Sequence, residues 1–243
     1  MTPAKKIRNA VAQVSKLRRD ALDLPSLGIA VTKIKHFQSK RFAATYADLM
    51  VGGPYQAATR FFLDELYGDA NYAERDAQFS RIAGALQRLL PGQAVATAVA
   101  LAQLHALSEE LDHAMGRSLL NTVTDAKVDG PIATDCYIHA WRDVARPADR
   151  EMQLRVVLKI GTDLDRLTGT PGLRTALKVM RGPAYAAGLS ALQRFLERGF
   201  DTFVAMRGQE PGARGFLAII KKRESRLIEL LFDADFETCQ AKF

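Results

Sequence analysis

Two cysteines, one tryptophan, four histidines and nine prolines in 243 residues put several classes of protein out of reach. Cys136 and Cys239 are too few and too far apart for a disulfide framework, which points to a reduced, cytoplasmic protein. Four histidines leave little for a His-rich metal centre. The longest apolar stretch, Ala94 to Ala102 with Thr97 inside it, is far short of the roughly 20 residues that span a bilayer. A basic N-terminus with no apolar segment or small-residue cleavage site behind it does not read as a secretory signal. There is no Gly-x-Ser-x-Gly elbow, no Walker A pattern and no Gly-x-Gly-x-x-Gly, so nucleophile elbows and phosphate-cradling loops are excluded. No alternating pattern of useful length predicts a strand.

What is present is a globular composition, 48% apolar and 25% charged, with a formal net charge of +7. At this length roughly 70% of the unfolded surface is buried on folding, so the core needs no metal or disulfide staple. The charge is unevenly placed. Residues 1–41 hold ten Lys and Arg against Asp20 and Asp23, a net +8 that leaves the remaining 202 residues at −1. The expected organisation is therefore a basic helical arm, 1–41, on a single helical domain, 42–243.

Apolar spacings of three and four predict helices along nearly the whole chain. Ile7, Val11, Val14, Leu17 and Ala21 form the stripe of the first, Lys5, Lys6, Arg8, Arg18 and Arg19 are expected mostly off it, and these five with Lys16 are the candidate contacts to an anionic surface. A basic amphipathic helix of this kind can contact an anionic surface or an acidic partner. The alternative is a helix whose stripe docks on the body while its charges face water. Further helices are predicted from about Ser26 to Met50, from Pro54 to a stop at Gly68, from an Asn71–Glu74 capping box to Leu90, and from Ala94 to Leu120. Residues 121–131 read as a loop. Beyond it come Ala133–Val144, Pro147–Leu167, Leu173–Arg181, one helix opened by Pro183 with a stripe from Leu189 to Phe203, and a last one reaching Asp233. The sum is an all-α bundle of about ten helices.

Three features could carry chemistry. His105, Glu109, Glu110 and His113 share the fifth helix, and Glu110 and His113 have the Glu-x-x-His spacing of di-iron carboxylate bundles, so iron or haem is the cofactor to weigh. Flanking polar residues of a core stripe more commonly bridge helices. Gly161, Gly188 and Gly199, read as interior to helices, call for a close helix approach or, less commonly, room for a flat ligand. The junction Asp64, Glu65, Tyr67, Asp69, Asn71, Arg75 and Asp76 clusters ionisable groups near a helix start. There, Arg75 is expected to pair with Glu65 or Asp76.

The segments FFLDELYGD (61–69), RDAQFSRI (75–82) and MRGPAYAAGLSALQRFLERGFDTF (180–203) resemble a family of uncharacterised bacterial helical proteins, over roughly residues 45 to 232, with the basic arm outside. The resemblance implies a soluble all-helical protein and brings no activity or catalytic residue. The helix count and lengths also allow a haem-oxygenase-like arrangement. Two functions are expected: a non-enzymatic helical protein that binds a partner or small ligand, or a metal- or haem-dependent oxidoreductase with its site in the helical core.

Overall fold

The computed structural model describes residues 1–67, 72–89, 91–122, 130–208 and 210–242, and among these every regular element is a helix. The elements are α1 (Pro3–Asp23), α2 (Pro25–Thr45), α3 (Ala47–Met50), α4 (Gln56–Glu65), α5 (Ala73–Leu89), α6 (Gly92–Thr122) and α7 (Thr134–Val144). They continue with α8 (Pro147–Thr168), α9 (Leu173–Val179), α10 (Arg181–Ala186), α11 (Ser190–Met206), α12 (Gly212–Asp233) and α13 (Phe236–Gln240). Ten of these have seven residues or more, so the all-α bundle read from periodicity is the fold.

Proline sets three of the starts. Pro3, Pro25 and Pro147 sit in the first turns of α1, α2 and α8, where a missing N–H costs nothing. The Thr2 side chain also caps α1 by accepting from the Lys5 N–H. Two predicted helices divide. The span expected from Ser26 to Met50 breaks at Tyr46 into α2 and α3. The helix expected to open at Pro183 is interrupted after Ala186, because Gly188 turns the chain at φ +64° between α10 and α11. Gly188 is thus a turn residue and not a helix-interior glycine. The Asn71 capping box, the Gly68 stop, Leu90 and most of the 121–131 loop lie outside the described residues.

The 31-residue α6 is the axis of the molecule, about 46 Å long at ~1.5 Å per residue. Its side chains are buried or half-buried on most sides, so it has neighbours nearly all round. Helices α1, α2, α7 and α8 supply them. Ile7 and Val14 of α1 pack with Ala83, Val99 and Ala106. Ile34, Met115, Tyr137 and Leu231 form a second core, and Phe42, Phe62, Phe203 and Phe216 anchor the third and largest. Close approaches explain two glycines. A Cβ on Gly116 would lie 2.7 Å from Val31 Cγ2, and one on Gly161 would lie 2.5 Å from Leu217 Cδ2. Gly199 faces the Phe61 ring in the same way, at 3.1 Å.

The stripe of α1 docks on α5 and α6, and the boundary expected between residues 41 and 42 falls inside α2. Arg18, expected among the surface cations, points inward. At 100° per residue it sits in register with Val11 and Val14 on the buried face.

Candidate functional site: an amphipathic cavity

Between α6 and α8, bordered by α4, α5 and α11 and partly open to solvent, lies a cavity of about 300 Å³. Its two long walls change character together. Along α6 the lining runs from Ala94, Ala98 and Leu101 to Ser108, Glu109 and Asp112. Along α8 it runs from Leu164 and Val157 to Gln153 and Arg150. The two helices run in opposite senses, so both walls are apolar at one end and polar at the other. From Arg150 to Leu167 the α8 wall spans roughly 25 Å.

The polar end is built from buried charge. Glu224, on α12, accepts from Arg41 Nη1 at 2.7 Å and from the Tyr46 hydroxyl at 3.0 Å. The Glu224 charge beside it overrides burial and raises the Arg41 pKa. Burial, then the same charge, raises that of Tyr46. Burial likewise pushes Tyr137 up to about 12. Asp112 accepts from Gln38 Nε2 at 3.0 Å, and burial holds its carboxyl above the usual carboxylate range.

Arg150 is 7% exposed, and its guanidinium lies 3.9 Å from the centre of the Trp141 ring. It donates to Gln153 Oε1 at 3.0 Å and contacts Met115 Sδ at 3.0 Å. Among the described residues no carboxylate lies within 4 Å of it, and burial lowers its pKa. Two more buried donors at this end, Trp141 Nε1 and Arg41 Nε, meet no acceptor among the described residues.

Midway along the wall, His105 Nε2 lies 3.0 Å from Asp76 Oδ2, which also accepts from Arg18 Nη2 at 2.7 Å. Burial pushes the Asp76 pKa up, but His105 and Arg18 outweigh it and hold the carboxyl below its ordinary value. Among the described residues no Ser, Thr or Cys side chain is bonded to His105, so the pair orients an imidazole without activating a nucleophile. Arg75 pairs with Glu65 at 3.0 Å and stacks on Tyr72 and Phe195.

The four donors singled out on α6 do not converge. His105 turns to Asp76, Glu109 to Lys35 at 2.6 Å, and Glu110 to Gln13 and Arg146. His113 is buried, its Nε2 meets no partner among the described residues, and desolvation lowers its pKa. Among the described residues no group of three or more His, Cys, Asp or Glu side chains could hold a metal ion. Helix spacing placed the four on one helix, but His105, Glu109 and Glu110 each turn to a different neighbour and His113 Nε2 meets none of them. On α1, Lys5, Lys6, Arg8, Lys16 and Arg19 are exposed, whereas Arg18 is engaged with Asp76. Both cysteines are free thiols.

Arg150 and Trp141 were missed, whereas Asp76 had been singled out only as part of the ionisable junction. The sequence did hold one signal: Arg150 is in register with Leu154, Val157, Gly161 and Leu164, a charge on an apolar stripe.

Residues 17–238 match a domain of unknown function, DUF8198. The chain belongs to this family. The match extends beyond the 45–232 range of the resemblance and takes in Arg18, Lys35 and Arg41 of the basic segment. No curated protein and no solved structure matches. No helix among the described residues is long and apolar enough to cross a membrane.

Proposed function

We propose that this DUF8198 protein is a non-catalytic binder that encloses a small, largely apolar ligand between α6, α8 and α11. The observation carrying this reading is the cavity itself. Its volume falls in the range of small-molecule sites, and its walls are mostly aliphatic and aromatic with a few convergent polar groups at one end. A well-packed domain of this size does not ordinarily leave such a space, since interiors reach crystal-like density.

The test is titration with a neutral apolar fluorophore, N-phenyl-1-naphthylamine. Saturable 1:1 binding is expected in the wild type. Ala98→Phe, which projects a ring into the apolar half, should abolish it while the circular dichroism stays helical. Absence of saturable binding, or binding indifferent to Ala98→Phe, overturns the reading.

A second contact is supported by the exposed cationic face of α1, made by Lys5, Lys6, Arg8, Lys16 and Arg19 opposite its buried stripe. This face is suited to an anionic surface or an acidic partner. Neutralising the five side chains to Gln should weaken binding to DNA, RNA or anionic liposomes, and that binding should fall steeply with salt. Salt-insensitive binding sinks it. The oxidoreductase expected from the α6 donors gains no support from their separate directions. Iron in the purified protein, or a haem absorption band, would reinstate it.

A further inference from the structure

The polar end of the cavity holds a guanidinium, Arg150, with no carboxylate in contact among the described residues, and this specifies a ligand. The Arg41–Glu224 and Lys35–Glu109 pairs close on themselves at 2.7 and 2.6 Å. Arg150 is left over: its guanidinium touches an amide oxygen, a thioether and an indole face, and the Asp112 charge reaches it only from beyond 4 Å. A buried charge without a counter-charge is costly, and so is a buried N–H without an acceptor. Trp141 Nε1 and Arg41 Nε add two such N–H groups. At one end of a cavity, a guanidinium without a carboxylate in contact asks for an acceptor-rich anion. At the other end, Leu101, Val157, Leu164 and Phe200 offer only hydrocarbon.

Resting on the cavity reading above, we propose that the ligand is a single-chain amphiphile with a carboxylate head, the head received by Arg150 beside the Trp141 ring, and the chain lying along the α6–α8 walls. One guanidinium matches one negative charge, and its planar fork matches the two oxygens of a carboxylate. A phosphate dianion would bring a second charge next to Glu224 and Asp112, where Lys35 and Arg41 are already paired. The roughly 25 Å between the ends of the α8 wall requires an elongated molecule.

Trp141 is the only tryptophan, so its emission reports on this end of the cavity without a label. The experiment compares three ligands of equal chain length: oleate, oleyl alcohol and oleyl phosphate. Each is titrated by displacement of N-phenyl-1-naphthylamine and by Trp141 emission, in the wild type and in Arg150→Met, which keeps the apolar stem. Oleate should bind the wild type at least about tenfold tighter than the alcohol, in line with a hydrogen-bonded charge in a dry site. Oleate should also shift the Trp141 emission more than the alcohol does. In Arg150→Met the preference should collapse to within about twofold. Should that variant fail to fold, the acid-to-alcohol ratio and the emission shift in the wild type decide the matter.

Equal affinity for acid and alcohol, or tighter binding of the phosphate, overturns the carboxylate assignment while leaving the cavity reading intact. If the fluorophore and all three amphiphiles fail to bind, the cavity reading falls with it.

Discussion

Arg18, Arg150 and Glu224 each lie in register with an apolar stripe, and each is buried or partly buried against a partner of a different kind. Arg18 reaches Asp76, Glu224 holds Arg41 and Tyr46, and Arg150 meets no carboxylate within 4 Å among the described residues. Two carboxylates in this set should respond to pH in opposite senses. The Asp76 pKa is depressed in the folded state, so its contribution is present above the ordinary carboxylate range and is lost as pH falls through the folded value. Asp76→Asn should cost about 2–3 kcal/mol at pH 7, less than a fully buried pair because Arg18 is a quarter exposed. The gap to wild type should narrow in acid. Asp112 is raised, so its ionisation opposes folding as pH climbs above the unfolded value. Asp112→Asn, whose amide oxygen can still accept from Gln38, should equal or exceed wild-type stability at pH 7 and lose that advantage below pH ~4. Urea midpoints across this range check both.

Among the helices, α6 and the α9–α10 pair mark opposite extremes. Where α6 packs against α2, its contacts leave no slack. Gly116→Ala would drive a methyl against Val31 Cγ2 and toward the Val31 backbone nitrogen, at 2.7 and 3.2 Å. Overpacking of this kind costs about 1–3 kcal/mol, and the helix propensity of alanine returns at most about 1. A net loss of about 1–2 kcal/mol should appear in the urea midpoint. By contrast, α9 and α10 bury only Ala184, while Leu173 and Leu177 turn their side chains to the apolar end of the cavity. Val179, Met180 and Tyr185 remain exposed. Segments with so few buried contacts open at low free energy. Amide exchange across 173–187 should therefore be among the fastest of any helical segment, and a ligand filling the cavity should slow it. Exchange as slow as that of α6 would show that this flap is not a separate unit.

On the scale of the whole chain, the basic segment belongs to the folded body through its apolar stripe. Ile7 and Val14 are fully buried, and each such side chain stabilises by about 1.5–3 kcal/mol. Set against a typical net stability of about 5–15 kcal/mol, removing residues 1–23 should unfold the protein. Substituting Lys5, Lys6, Arg8, Lys16 and Arg19 with Gln should leave the thermal midpoint nearly unchanged, since those side chains are exposed. A deletion variant that keeps its helical circular dichroism and its midpoint would refute this account of α1.

The sequence by itself determined that the chain is helical, how many sizeable helices it has and roughly where most of them begin. These follow from local spacing of apolar residues, from prolines in first turns and from glycines at breaks, all within a few residues of one another. It also held the charges in register with apolar stripes, which can be read one helix at a time. Which charge meets which was decided only by tertiary structure, because Arg41 and Glu224 are 183 residues apart, and Arg18 and Asp76 are 58. The same holds for the divergence of His105, Glu109, Glu110 and His113 and for the cavity. A helix's own period fixes the direction of each side chain, but the groups it meets lie on other helices, and the space left between them is a property of the packing.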